Sequence, residues 1–200
     1  MIFLKSVFLI FVSILTVAAG SQEHHHHHET KTEADDSVKL SEDSIYNLKS
    51  ELLDSAGKKV SLDSLKGRPV VISMAYTSCA YACPLIIAQM QQLEKALDAQ
   101  GKKSARFVLV SFDPKKDTPD VLKEYSDKRK LSSRWSLYTS ASDKSPREIA
   151  SVLGIKYKKI EGGDYDHSFI ITVLDSDGVV QGRQIGADKD PKELAKFIKN

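Results

Sequence analysis

The segment Arg68-Pro-Val-Val-Ile-Ser-Met-Ala-Tyr76 is the stretch of this sequence from which its fold can be predicted. Its nearly continuous apolar character is typical of a strand that is buried on both faces of a sheet, and residues 105–112 repeat that character. A strand, a helix and a strand of this length predict a right-handed crossover between parallel strands. Between the two runs, apolar residues recur at helical spacing up to Gly101, namely Ile86, Met90, Leu93 and Leu97.

The pattern on either side of this unit predicts six further elements. They are an N-terminal hairpin over residues 46–62 with Gly57 in its turn, a helix that opens at Thr118-Pro119, a short strand over 135–138, a helix over 145–153, a hairpin over 167–184 and a terminal helix that opens at Asp190-Pro191. An early crossover followed by a late antiparallel hairpin predicts an α/β fold with a mixed sheet and helices on both faces. Thioredoxin-like folds are built in this way.

The composition bounds the class of protein. Of 200 residues, 41% are apolar and 28% are charged, which is usual for a soluble globular domain, and we assign that domain to residues 44–200. A formal net charge of +2 gives no reason to expect a nucleic-acid partner. The two cysteines, Cys79 and Cys83, allow at most one internal disulfide, so we expect no disulfide scaffold.

Residues 1–20 have the pattern of an export signal. Lys5 precedes an apolar run over 7–17, and Ala18-Ala19-Gly20 supplies the small residues that signal cleavage requires. We expect a signal peptide cleaved near Gly20; an uncleaved N-terminal anchor is the alternative, since the apolar run borders on membrane-spanning length. Both alternatives predict export, which in a bacterium means a periplasmic protein, soluble or anchored to the outer face of the inner membrane. Membrane contact is expected only through such an anchor.

Residues 21–43 are polar and too poor in apolar side chains to offset the entropy of ordering, so they predict a disordered tether. This segment contains a run of five imidazoles: His24, His25, His26, His27 and His28. Such a run can chelate Cu(II), Zn(II) or Ni(II), and on a tether it would raise the metal concentration near the domain. An accessory role in metal capture and an inserted purification tag are both open.

The cysteine pair follows the first buried strand directly, in Thr77-Ser-Cys-Ala-Tyr-Ala-Cys-Pro84. That is the carboxyl end of a parallel strand, where α/β sheets place their functional sites. Pro84 suits the first position of a helix, so we expect Cys83 near the N-cap, where the helix dipole would stabilise its thiolate. Three residues separate the sulfurs, one more than in a thioredoxin-type redox motif. The loop could hold one metal ion, close a disulfide for redox exchange, or contain a structural disulfide or two inert thiols.

His167 is the sole histidine of residues 44–200. It follows Gly162-Gly163 and is expected to start the first strand of the late hairpin, at a loop that in a thioredoxin-like sheet lies close to the start of the cysteine helix. Two thiolates and an imidazole suit copper, because thiolate binds Cu(I) and imidazole supports Cu(II). Structural zinc would require a fourth protein ligand, for which the sequence has no clear candidate, and the Cys-x-x-Cys-His motif of haem attachment is absent.

Four motifs are spread over residues 45–200: Tyr76-Thr-Ser-Cys-Ala-Tyr-Ala-Cys-Pro84, Ser111-Phe-Asp-Pro-Lys-Lys-Asp-Thr-Pro119, Asp166-His-Ser-Phe-Ile170 and Leu174-Asp-Ser-Asp-Gly178. In content and order they resemble the SCO/SenC family of copper chaperones. The resemblance implies a thioredoxin-like fold that binds one copper ion, Cu(I) or Cu(II), through Cys79, Cys83 and His167. It also implies a partner, the copper-site subunit of a membrane cytochrome c oxidase, to which copper is delivered or whose cysteines are reduced.

One motif departs from the family pattern. Many members have Pro-Asp after the first cysteine; here Ala80-Tyr81 takes its place, which removes a carboxylate beside the sulfurs. The departure keeps the three implied ligands but leaves open which partner protein receives the copper. For the segment 113–119 we expect a structural role, with Asp117 or Thr118 as a helix cap rather than a copper ligand.

Three functions remain open, in this order. The first is a non-enzymatic metallochaperone that passes copper to an oxidase. The second is a thiol–disulfide oxidoreductase that cycles Cys79 and Cys83 and draws on a thioredoxin-like reductase. The third is a peroxidase, because peroxiredoxins share the fold, although Tyr76-Thr-Ser-Cys79 matches only part of their Pro-x-x-x-Thr/Ser-x-x-Cys motif.

Overall fold

The computed structural model describes residues 40–199. The predicted signal, the histidine run and nearly all of the predicted tether lie outside these residues. Within them, no helix is both long and apolar enough to span a membrane. Leu40 packs against the core, and Asn47 Nδ2 donates hydrogen bonds to the carbonyl oxygens of Ser41 and Glu42. Contacts with the domain therefore begin several residues before the predicted boundary.

Nine strands are present among the described residues: β1 (Leu52–Asp54), β2 (Lys59–Val60), β3 (Val70–Ala75), β4 (Arg106–Ser111), β5 (Trp135–Thr139), β6 (Tyr157–Lys159), β7 (Tyr165–His167), β8 (Ile170–Leu174) and β9 (Val180–Ile185). Seven of them form one sheet in the order β2-β1-β5-β4-β3-β8-β9, and β6 pairs with β7 in a separate antiparallel ribbon. Strands β3, β4 and β5 are parallel, and the other neighbours are antiparallel. The predicted mixed sheet and its crossover are confirmed.

Three α-helices lie in the same part of the chain: α1 (Ala82–Ala99), α2 (Pro119–Arg129) and α3 (Lys144–Leu153). The apolar stripe of α1 is buried, and the chain leaves the helix through Gly101, whose φ of 74° suits glycine. Thr118 caps α2 by accepting the N–H of Val121 (3.4 Å), and Pro119 occupies the first turn, as predicted. The predicted terminal helix is a 3₁₀ helix over Pro191–Phe197.

The helices cover both faces of the main sheet. Gln91 of α1 donates to the carbonyl oxygen of Arg129 at the end of α2 (3.3 Å), so these two helices share a face. Helix α3 lies on the other face, where it lines a groove with Phe112, while Ser111 points to the α2 side. All six residues of the central strand β3 are buried between the two layers. This arrangement is a thioredoxin-like fold, as predicted.

The N-terminal hairpin is shorter than predicted. Only Leu52–Asp54 and Lys59–Val60 pair, and Asp54 Oδ1 accepts the N–H groups of Ala56 and Lys58 in the turn between them. Gly57 lies in this turn with a φ of 76°, as predicted. The residues on either side of the pair form 3₁₀ helices, Ile45–Asn47 and Leu62–Leu65.

The late hairpin begins at Ile170, so the prediction that His167 starts it is wrong. His167 lies instead at the end of β7, in register with Tyr157 of β6. Ser168 extends that pairing, because its N–H donates to the Lys156 carbonyl oxygen (2.8 Å) and its hydroxyl accepts the Lys156 N–H (3.1 Å). These bonds satisfy the backbone locally and keep the histidine out of the main sheet.

Candidate metal centre

Cys79 lies between β3 and α1, and Cys83 lies in the first turn of α1, at the carboxyl end of the parallel strands. The helix begins at Ala82, so Cys83 lies near the N-cap, as predicted. Pro84 is the third residue of the helix and not the first, which corrects the prediction. Proline is tolerated there because the N–H that it lacks would have no partner inside the first turn. Cys79 therefore precedes the helix, and Cys83 belongs to it.

The thiolate is favoured at Cys79 and not at Cys83, where it was predicted. Burial of Cys79 would raise its pKa, but hydrogen bonds outweigh this effect and lower the pKa to about 6. The largest of these comes from the backbone N–H of Cys83, which points at Cys79 Sγ over 3.4 Å, and the N–H of Tyr81 contributes as well. A free N–H of the first helical turn is thus satisfied by sulfur.

Cys83 is fully buried, and burial raises the pKa of its thiol far above the usual range. The N–H of Tyr76 donates to its sulfur (3.4 Å) and offsets only part of this effect, while negative charge on Cys79 adds to it. The pair is therefore asymmetric. Cys79 is partly exposed and ionises readily, whereas Cys83 keeps its proton.

His167 reaches the cysteines from the end of β7. Its Nδ1 lies 3.1 Å from the carbonyl oxygen of Ser168. A carbonyl oxygen can only accept a hydrogen bond, so the neutral ring carries its proton on Nδ1 and has a lone pair on Nε2. Nε2 faces Cys83 Sγ at 3.6 Å. A backbone acceptor thus orients this imidazole as it does in metal sites.

Aromatic side chains surround the histidine. The ring centroid of His167 lies 5.2 Å from that of Phe112 and 6.1 Å from that of Tyr76. Both of these residues are almost fully buried, and Tyr157 and Tyr165 extend the cluster around Phe112. Such packing limits the access of water and strengthens electrostatic interactions within the group.

Asp117 supports the loop that leads to Cys79. Its buried carboxylate accepts the N–H (3.1 Å) and the hydroxyl (2.5 Å) of Thr77 and the hydroxyl of Ser111 (2.6 Å). Burial raises the pKa of Asp117, and these hydrogen bonds counteract part of the rise. The segment thus has the structural role that was expected. Sequence reasoning missed the anchor itself, because no local pattern indicates a partner 40 residues away.

The Ala80-Tyr81 departure leaves an aromatic ring in solvent beside the cysteines. Tyr81 is 84% exposed, and Leu85 in the first turns of α1 is 52% exposed. The surface next to Cys83 therefore presents an aromatic and an aliphatic side chain to solvent.

The sulfur atoms of Cys79 and Cys83 and one ring nitrogen of His167 lie within 4.8 Å of one another. Metal bonds of about 2.3 Å to sulfur and about 2.0 Å to nitrogen, at tetrahedral or trigonal angles, would place S and N about 3.5–3.8 Å apart. The observed separation of Cys83 Sγ and His167 Nε2 is 3.6 Å. Within residues 40–199 no fourth cysteine, histidine or carboxylate joins the group. The donor set therefore fits copper better than structural zinc.

The comparison with known families identifies the family of this chain. The SCO1/SenC family model matches residues 39–200. The chain belongs to the SCO1/SenC family. It is similar to the SCO1 protein homologue of Bacillus subtilis, with 34% identity over 139 residues that make up 68% of this chain and 71% of that protein. The resemblance seen in the sequence motifs is confirmed.

Solved structures of the SCO family superpose on this SCO1/SenC protein. The copper-bound ScoI of Bradyrhizobium japonicum is 25% identical, with a TM-score of 0.61 over 74% of this chain and 94% of ScoI. BsSco is 29% identical, with a TM-score of 0.64 over 74% of this chain and 88% of BsSco; that protein is described as having a disulfide switch and as a member of the Sco family of cytochrome c oxidase assembly proteins. The Cys-Cys-His group of the present SCO1/SenC protein fits copper binding.

Proposed function

We propose that this SCO1/SenC protein is a copper metallochaperone. It binds one copper ion, Cu(I) or Cu(II), through Cys79, Cys83 and His167 and passes it by ligand exchange to the copper-site subunit of a membrane cytochrome oxidase. The observation that carries the proposal is the convergence of two sulfurs and one ring nitrogen within 4.8 Å. The copper in ScoI and the assembly role given for BsSco support it.

The donor set suits a copper ion that is bound and later transferred to another protein. Three protein ligands leave a coordination position that a client's ligand can occupy before the first bond to the carrier breaks. Cys79 is partly exposed and offers the route of approach. Copper binding displaces the proton of Cys83, because the ligand is the thiolate. When copper leaves, Cys83 takes up a proton again, and its raised pKa therefore favours release to the client.

We infer a location outside the cytoplasm from the predicted export signal over residues 1–20. In a bacterium the domain then acts in the periplasm, soluble or anchored to the outer face of the inner membrane. The run His24–His28 would capture copper on its tether in an accessory role.

The test uses the full chain with each of His24–His28 replaced by serine, so that the run binds no copper. After reduction and loading, we expect one copper per chain and, in the Cu(II) form, a sulfur-to-copper charge-transfer band. His167→Ala should weaken copper binding, Cys83→Ser should weaken the band, and a purified apo copper-site subunit should acquire the ion. A parent protein that retains no stoichiometric copper would overturn the proposal.

The asymmetry of the cysteines favours a second candidate function, thiol–disulfide exchange. The Cys79 thiolate would attack a client disulfide, form a mixed disulfide and release one client thiolate, which takes up a proton. Cys83, after losing its proton, would attack the Cys79 sulfur, release the second client thiol and leave a Cys79–Cys83 disulfide. A thioredoxin-like reductase would supply the two electrons and two protons that restore the pair. The disulfide switch described for BsSco supports this candidate.

His167 separates the two candidates, because thiol exchange does not require an imidazole ligand. Oxidase activity is measured in cells that lack their own copy of the gene and carry the parent protein, His167→Ala or Cys79→Ser. The chaperone requires both side chains. If His167→Ala restores oxidase activity and Cys79→Ser does not, the redox function replaces the chaperone.

A further inference from the structure

We propose that Tyr76 is a positioning residue for the copper site, because its hydroxyl holds the chain segment that carries His167 against the strand that leads to the cysteines. The role in copper binding rests on the proposed function, whereas the contact itself exists in the copper-free protein. We call residues 157–167, which contain β6 and β7, the histidine arm.

The Tyr76 hydroxyl makes two hydrogen bonds to the arm. It donates to Asp164 Oδ1 at 3.0 Å, and it accepts the backbone N–H of Tyr165 at 3.4 Å. Tyr76 is only 4% exposed and directly follows β3, so its position is set by the core. The bonded residues lie directly before and within β7, which ends at His167.

Apart from these bonds, the arm is held mainly by aromatic packing on Phe112, which contacts Tyr157, Tyr165 and His167. Its two strands pair with each other and with no strand of the main sheet, and most residues between 156 and 166 are exposed.

The turn of the arm contains Gly162 and Gly163, both with positive φ, and neither has a side chain that could anchor it. Lys116 Nζ reaches the carbonyl oxygen of Gly163 over 3.4 Å, but this contact is exposed. The bonds to Tyr76 are part-buried and are therefore the stronger polar attachment of the arm.

The tyrosine ring and its hydroxyl have separable roles. The ring packs against those of Tyr165 (centroids 5.3 Å apart) and His167 (6.1 Å), and phenylalanine would keep both contacts. The hydroxyl supplies the two hydrogen bonds that hold β7 against the strand that leads to the cysteines. Its loss would let the imidazole move away from Cys83 while the two sulfurs keep their positions, so the site would change from three ligands toward two.

The experiment compares Tyr76→Phe, Asp164→Ala and Asp164→Asn in the full chain with His24–His28 replaced by serine. Tyr125→Phe is the matched control, because it removes a buried hydroxyl that has no hydrogen-bond partner among the described residues. The first readout is hydrogen exchange of the copper-free protein. Tyr76→Phe and Asp164→Ala should speed exchange in residues 157–167 and leave residues 70–75 and 82–99 unchanged.

The second readout is copper itself. Removing the contact that orients a ligand should weaken copper binding by about tenfold and should reduce the nitrogen hyperfine coupling in the electron paramagnetic resonance spectrum of the Cu(II) form. Asp164→Asn keeps an oxygen that can accept from Tyr76, so it should behave like the parent protein. The double variant of Tyr76→Phe and Asp164→Ala should be no weaker than Tyr76→Phe alone, because both changes remove the same contact.

Two results would overturn the inference: an arm that exchanges as in the parent protein after Tyr76→Phe, or faster exchange throughout the domain, which would indicate a general loss of stability. If the parent protein binds no copper, the chaperone proposal fails, and the exchange data still decide whether Tyr76 holds the arm.

Discussion

The backbone N–H of Cys83 donates to the sulfur of Cys79 over 3.4 Å, so the first turn of α1 holds a sulfur where a helix usually holds a capping oxygen. Because α1 begins at Ala82, one cysteine lies just outside the helix and the other just inside it. The spacing of three residues thus gives the two thiols different environments at one helix end.

This contact predicts the pH at which Cys79 reacts. Its alkylation by iodoacetamide in the copper-free protein should rise with pH and reach half of its maximal rate near pH 6, because its pKa is lowered to about 6. Cys83 should stay unlabelled at neutral pH, because burial raises its pKa. Mass spectrometry of the labelled peptides measures both rates. In urea-unfolded protein both cysteines should titrate at about 8.5, and the same value for Cys79 in the folded protein would contradict the account.

Asp117→Ala should lower the free energy of unfolding of the copper-free protein by about 2–4 kcal/mol, because the buried N–H and hydroxyl of Thr77 and the hydroxyl of Ser111 lose their acceptor. Urea denaturation measures the change. Asp127→Ala, on the exposed side of α2, is the matched control and should leave the free energy nearly unchanged. Equal effects of the two substitutions would show that Asp117 does not anchor the loop.

Substitution of Glu94 tests whether the free energy of unfolding can be lowered without a loss of copper binding. Its carboxylate accepts from Arg134 Nε (3.1 Å) and Trp135 Nε1 (2.8 Å), remote from the cysteines. Glu94→Ala should lower the free energy of unfolding by about 2–3 kcal/mol and change tryptophan fluorescence, while copper stoichiometry stays the same. Glu124→Ala, which removes only an exposed ion pair with Lys128, should change neither. Loss of copper from folded Glu94→Ala would contradict the separation.

Two glycines with positive φ form a matched pair for testing the core near Tyr46. Gly57 has a φ of 76° and open space around its Cα, whereas at Gly178, with a φ of 81°, a Cβ would lie 2.6 Å from the Tyr46 ring. Gly57→Ala should cost about 1–2 kcal/mol for the backbone alone. Gly178→Ala should cost about 1–3 kcal/mol more, because the ring must move. Urea midpoints compare them, and equal costs would contradict the packing on Tyr46.

The central unit of the fold could be predicted because its signals are long and local. The run over 68–76 is apolar throughout, as a strand buried on both faces requires, and the helix after it has a regular apolar stripe that ends near Gly101. That His167 belongs with the cysteines followed from the thioredoxin-like topology and from the family motifs.

The parts that could not be predicted depend on contacts between distant or exposed residues. Strand β6 is three residues long and mostly exposed, so the sequence shows no periodic pattern for it. Because β6 pairs with β7, His167 lies in that ribbon and not in the late hairpin. The ionisation of Cys79 depends on the start of α1 at Ala82, two residues before Pro84, which was the predicted start. The hydrogen bond of Tyr76 to Asp164 joins residues 88 positions apart.

The central claim is that two sulfurs and one imidazole bind copper. X-ray absorption at the copper edge tests it most directly, on the full chain with His24–His28 replaced by serine and loaded with Cu(I). The account predicts one copper per chain with two sulfur neighbours at about 2.3 Å and one nitrogen neighbour, and His167→Ala should remove the nitrogen and keep both sulfurs. Copper surrounded by oxygen and nitrogen alone, or a nitrogen that persists after His167→Ala, would contradict it.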